Sequence, residues 1–122
     1  MLQIRSVVKV ADNSGAKVVR VFNIPGGTRK RYARVGEIVT ASVQIAEPRK
    51  QVKKKDIVKA VVVRQRAPIK RADGTVIRFD EAAVVLVDKD KKPRGTRIFG
   101  PIPREIKKAG FTEIFSLAQD IV

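Results

Sequence analysis

The residues of this sequence with the most chemical potential are its cations. Residues 20–34 hold five basic and no acidic side chains, residues 49–78 hold eleven and two, and residues 89–108 hold eight and two. Clusters of one sign with few compensating acids suit a phosphate backbone, from which they release condensed counterions. Other chemistry has little to draw on. The sequence has no Cys and no His, so it lacks a thiolate, the commonest general base and the commonest metal ligand. Asp80 and Glu81 are adjacent carboxylates. Neighbours on a strand point to opposite faces, so these two would pair with Arg78 or nearby lysines rather than act together. Gly26-Gly27-Thr28 lacks the remaining glycine and the lysine of a phosphate-binding loop.

The whole chain has 122 residues, 27 Lys+Arg against 12 Asp+Glu, and a formal charge of +15. Hydrophobic residues make up 43%, too many for a disordered basic tail. A folded, strongly basic protein is therefore expected. Excess charge opposes compaction, so a large polyanionic partner is its economical explanation. No apolar run approaches the roughly 18 residues of a membrane span. Met1-Leu2-Gln3-Ile4-Arg5 lacks the pattern of a signal peptide, which sets a cytoplasmic expectation. No cofactor, metal or small-molecule substrate is expected.

The six aromatics refine the partner. Phe22 and Phe79 read as core, and Phe111 and Phe115 as the packing stripe of a helix. Tyr32 and Phe99 remain as the stacking candidates. Single-strand binders use rows of exposed aromatics. Structured RNA, bound through phosphates and shape, fits this sequence better.

These cations need a rigid frame. Apolar residues come in short runs rich in Val and Ile, separated by turn residues, which favours strands. Val7–Val10 and Ala16–Phe22 flank Asp12-Asn13-Ser14-Gly15 and read as a hairpin. Residues 38–45 alternate, with Val39, Ala41, Val43 and Ile45 on one face, as in a half-buried antiparallel strand. Residues 57–63 and 83–87 read as more fully buried strands. Between them, Arg64–Phe79 reads as a projecting ribbon, with Asp73-Gly74 at the tip of a type I′ turn. Pro103 can open a helix and Gly110 can close it, with Ile106 and Ala109 inward. A second short helix is expected over Phe111–Leu117. Together these elements predict one mainly β domain over residues 1–122. Its core is a small five-stranded antiparallel barrel over about 1–100, carrying a hairpin at about 64–79. Helices follow at about 103–118.

Several stretches carry a family resemblance. Ala60-Val61-Val62-Val63, nine residues, Asp73-Gly74, four residues and Phe79 are very similar to the signature of the large-subunit ribosomal protein fourteen family. Val10–Ala16, Arg31-Tyr32-Ala33, Pro93–Pro101 and Phe111–Ala118 agree with it, in its bacterial-type form. The sequence departs at Ala82, where Asn or Thr is usual, and at the end Gln119-Asp120-Ile121-Val122. The resemblance implies a barrel with a projecting hairpin and a structural role in the large ribosomal subunit. It implies binding to large-subunit rRNA and inter-subunit bridges to small-subunit rRNA. It also implies contacts with ribosomal proteins three and nineteen, and docking of a ribosome silencing factor.

On that basis Arg29, Lys30, Arg31, Arg49, Lys53, Lys54, Lys55, Arg64, Arg66, Lys70, Arg71 and Arg78 are expected phosphate contacts. Arg94, Gly95, Thr96, Arg97, Arg104, Lys107 and Lys108 are expected on an inter-subunit or protein-partner surface. Gly95 either permits a close backbone approach to a partner or makes an ordinary turn. A nucleic-acid-binding barrel outside the ribosome would call for a stacking platform. A nuclease would call for clustered metal-binding carboxylates or a general base.

Overall fold

In the computed structural model, residues 2–26, 32–50, 52–89 and 91–122 are described. In chain order the strands are β1 (Val7–Val10), β2 (Ala16–Asn23), β3 (Ile38–Ala46), β4 (Ile57–Arg64), β5 (Ile69–Lys70), β6 (Val76–Ile77), β7 (Ala83–Val87) and β8 (Ile98–Ile102). The helices α1 (Glu105–Lys108) and α2 (Thr112–Leu117) follow, and then strand β9 (Ala118–Ile121). Strands β1, β2, β3, β4 and β7 close into the expected five-stranded barrel. Four of the pairings are antiparallel. The closure differs: β1 and β7 pair in parallel through Lys9↔Ala83 and Val10↔Val84.

Two apolar cores share one wall. Val58, Ala60 and Val62 of β4, and Val84 and Leu86 of β7, face the barrel interior with Val19, Val21, Val39, Ala41 and Val43. The alternate residues Val61, Val63, Ala83, Val85 and Val87 face outward. There they meet Ile98, Ile102, Ile106, Phe111 and Ile114 from β8 and the two helices. A strand buried on both faces reads as an unbroken apolar run. That is why β4 and β7 lack the clean alternation of β3.

Several expectations shift in detail. Ile45 is 53% exposed. Strand β4 begins opposite Ser42, so nothing from β4 reaches over Ile45. Phe22, read as core, is 44% exposed on the outer barrel face. Phe79 is half-buried. Ile106 is buried, but Ala109 is exposed because α1 ends at Lys108 after a single turn. Gly110, at φ +98, terminates that segment as its position predicts. Strand β9 was not expected. It runs parallel to β8, with Ile98↔Ala118 and Ile102↔Ile121 paired.

The paired part of the ribbon is shorter than the sequence implies, and its turn is one residue longer. Its arms β5 and β6 are two residues each. The turn is not type I′, which requires positive φ at both central residues. Only Gly74 is left-handed, at φ +90. Gly74 N–H donates to the Arg71 carbonyl at 3.1 Å and Arg71 N–H to the Thr75 carbonyl at 2.9 Å. This is a three-residue loop ending in a left-handed glycine. The Asp73 carboxylate accepts from the Thr75 hydroxyl at 2.6 Å and the Thr75 amide at 3.0 Å. Those bonds hold its pKa below the usual value and supply the rest of the turn. Among the described residues no helix is long and apolar enough to cross a membrane.

Candidate nucleic-acid interface

Strand direction sorts the basic segments into two groups, one at each end of the barrel. The loop between β3 and β4, residues 47–56, lies at the start of β4. The β1–β2 turn lies there too, since Glu47 N–H donates to the Gly15 carbonyl at 2.7 Å. So does the segment after β7, because Thr96 N–H and Arg97 N–H both donate to Asn13 Oδ1, at 2.7 and 3.0 Å. The ribbon leaves the opposite end of β4, after Arg64. Residues 32–37 are at that same end, where Gly36 N–H donates to the Val62 carbonyl.

At the first end, Arg49, Lys53, Lys54 and Lys55 are exposed. Their loop is built rather than slack. Val52 is 1% exposed and joins the barrel core. Lys53 N–H donates to the Asp56 carboxylate at 2.9 Å, and Lys55 N–H to the Val43 carbonyl at 2.8 Å. Arg49 and Lys55 adopt left-handed backbone, at φ +67 and +73. Such conformations cost energy for L-residues and persist when the surroundings over-determine them. In the sequence Val52 reads as part of a basic loop, and one apolar residue among lysines is the only local sign of its burial.

The Asp12 carboxylate fastens this end. Its Oδ1 accepts from the Ser14 amide and hydroxyl, at 3.1 and 2.6 Å, and its Oδ2 accepts from buried Leu86 N–H at 3.0 Å. Burial pushes its pKa above the usual carboxylate value, although these bonds and Arg94 pull the other way. Arg94, Thr96 and Arg97 are exposed beside it. Gly95 turns out to face its own chain: a Cβ there would lie 2.7 Å from Asn13 Oδ1 and 3.2 Å from Ser14 N. The close approach is therefore between two loops of this protein.

At the second end, Arg66, Lys70 and Arg78 are exposed. Arg29, Lys30 and Arg31 lie outside the described residues. Arg71 is committed elsewhere. Its Nε donates to Glu105 Oε1 at 2.8 Å, and its guanidinium also bonds the main-chain oxygen of Val122 at 2.6 Å. The ribbon is thereby tied to α1 and the strand β9 segment. Arg64 is half-buried, and burial lowers its pKa below the usual arginine value against the opposing field of Glu81. Arg104, Lys107 and Lys108 are exposed on and beside α1, with Lys107 Nζ 5.3 Å from the centre of the Phe115 ring. Tyr32 and Phe99, the stacking candidates, are 45% and 53% exposed.

The Arg71–Glu105 clamp carries a pH prediction. The Arg71 hydrogen bond is the main cause holding the Glu105 carboxyl below its usual 4.5. A depressed folded-state pKa gives stability that is full above the unfolded value and lost as pH falls through the folded one. Solvent screening limits it to about 1 kcal/mol or less. Urea unfolding should show Glu105→Gln less stable than the parent at pH 7, with the gap closing below pH 4. A gap that persists unchanged into acid would exclude the ion pair as its source.

Among the described residues, Arg49, Lys53, Lys54, Lys55, Arg66, Lys70 and Arg78 make no ion pair with a carboxylate. Two exposed, uncompensated cationic groups at opposite ends of a rigid barrel can each take a run of phosphates. Compared with known families, the chain matches the family described as Ribosomal protein L14p/L23e over residues 1–122.

Proposed function

The chain belongs to the Ribosomal protein L14p/L23e family, structural proteins of the large ribosomal subunit, and we propose that it binds large-subunit rRNA with both ends of its barrel. The observation that carries this reading is the uncompensated charge at both ends. Seven exposed Lys and Arg side chains there have no carboxylate partner among the described residues. Arginine suits fork-like phosphate contacts and lysine supplies a point charge, and both types are present at each end. Arg29, Lys30, Arg31 and Arg64 belong to the same proposal, while Arg71 would have to leave Glu105 to join it.

Arg94, Thr96 and Arg97, with Gly95 beneath them, and Arg104, Lys107 and Lys108 form the proposed partner surface. It would meet ribosomal proteins three and nineteen and small-subunit rRNA across inter-subunit bridges, and receive a ribosome silencing factor. The proposed location is the cytoplasm, in the ribosome.

Reversing Lys53, Lys54 and Lys55 to Glu tests the first end. Binding to a large-subunit RNA fragment should weaken, and the slope of log affinity against log salt should fall by about 3. These side chains are exposed, so each substitution should change stability by no more than about 0.5 kcal/mol. Unchanged RNA affinity would refute the assignment. A collapse in thermal stability would instead make the three lysines structural, with their stems packed over the barrel. Co-sedimentation with intact large subunits in high salt separates a ribosomal protein from a general RNA-binding barrel.

A further inference from the structure

At the ribbon end, Arg64 leaves β4 beside the segment that returns from the ribbon into β7. Between this crossing and β8 lies a cavity of about 590 Å³, lined by Arg64, Ile77, Arg78, Phe79, Asp80 and Pro101 among others. A recess of about 200 Å³ continues from it past Arg78, Phe79 and Asp80 to Arg66. Small-ligand sites typically hold roughly 300–1,000 Å³.

The lining has an unusual balance. The Nε–H of Arg64 is buried and has no hydrogen-bond acceptor among the described residues. A guanidinium carries five donors and no acceptor, and a buried donor left unmade is costly. Gly100, at φ +83, leaves room for this group: a Cβ there would run into Arg64 Nη1. Glu81 also lines the cavity, but Lys9 Nζ pairs with it at 3.0 Å. Asp80 makes no ion pair among the described residues. Phe79 and Pro101 supply apolar wall. A purely anionic ligand would meet the Asp80 carboxylate. A wholly apolar one would leave the Arg64 and Arg78 guanidiniums that line the cavity without an anion.

We propose that this cavity receives one unpaired nucleotide of the bound RNA. Its phosphate lies on Arg64 and Arg78, its base lies against Phe79 and Pro101, and an exocyclic amino group of the base donates to Asp80. The inference rests on the RNA-binding reading and adds a single nucleotide site to it. Carboxylates accept from the cytosine amino group, whereas uracil offers a carbonyl at that position and would be repelled.

The test titrates the full chain with tetracytidylate and tetrauridylate, reading arginine Nε–Hε and aromatic-ring resonances. Tetracytidylate should shift the Arg64 Nε–Hε and the Phe79 ring, and bind about tenfold tighter than tetrauridylate. Phe79→Ala should weaken it by about tenfold through lost stacking. Asp80→Asn, a change at an exposed position, should abolish the preference for cytidine. The triple variant of Lys53, Lys54 and Lys55 should keep these cavity shifts. Equal binding of the two oligonucleotides, or shifts confined to the loop around Lys53–Lys55, would overturn the cavity and leave the RNA-binding reading standing. Absence of binding by both oligonucleotides and by a large-subunit RNA fragment would overturn both.

Discussion

Raising the salt from 50 to 200 mM is expected to weaken binding to a large-subunit RNA fragment by about 10³-fold or more. Seven exposed cations without carboxylate partners stand at the two barrel ends: Arg49, Lys53, Lys54, Lys55, Arg66, Lys70 and Arg78. If each neutralises one phosphate, log affinity should fall with log salt at a slope of roughly −5 to −6, taking about 0.7–0.9 per contact. Partly buried ion pairs are screened less, so Arg71 should add little to the slope while it stays on Glu105. Filter binding or fluorescence anisotropy across that salt range measures it. A flat titration would sink the electrostatic account. It would shift the affinity onto shape and base contacts.

Leu86→Ala should cost about 2–5 kcal/mol, a large share of the roughly 5–15 kcal/mol that domains possess. Leu86 is fully buried in the barrel interior, on the strand that closes the ring. Its amide is held by Asp12, so the backbone around it has little freedom to collapse into the void. The midpoint of thermal unfolding should drop by about 10 °C or more. Val76→Ala, at a position 56% exposed on the ribbon, is the matched control and should change stability by about 0.5 kcal/mol at most. A loss below 1 kcal/mol for Leu86→Ala would mean that the interior rearranges to fill the gap.

The barrel was legible because strand period and turn residues agree along most of the chain. The alternation in β3, the Asp12–Gly15 turn and the unbroken apolar runs of β4 and β7 all point one way. What the runs could not say is which residues face which core. Val61 and Val62 look alike in sequence, and only the placement of β8 and the helices assigns them to opposite sides. Strand β9 was illegible because Ala118-Gln119-Asp120-Ile121 has no strong alternation and its partner is β8, with the helices in between. The ribbon tip misread for a local reason: Asp-Gly suits type I′, but here Asp73 bonds Thr75 and the loop gains a residue.

The candidate interface was legible as composition and illegible as geometry. The described loop cations fall into two groups in space, because antiparallel β4 carries the loop that precedes it and the ribbon at its opposite ends. Charge alone could not separate Arg71 from Lys70. One is held by Glu105, thirty-four residues away, and the other is exposed. Nor could it show that Gly95 serves the Asn13 turn, a contact across 82 positions.

The parallel pairing of β1 with β7 has a consequence for the order of events in synthesis. Strands β1 to β4 are complete at residue 64, but the ring cannot close until residues 83–87 exist. At a translation rate of roughly 5–20 residues per second, the nascent sheet waits about 1–5 seconds with two open edges. Open edges invite pairing with other chains, and lysines on edge strands discourage it. Lys9 on β1 and Lys59 on β4 stand on the two waiting strands, both exposed. The ribbon that carries cations to one end of the barrel thus also sets the length of that delay.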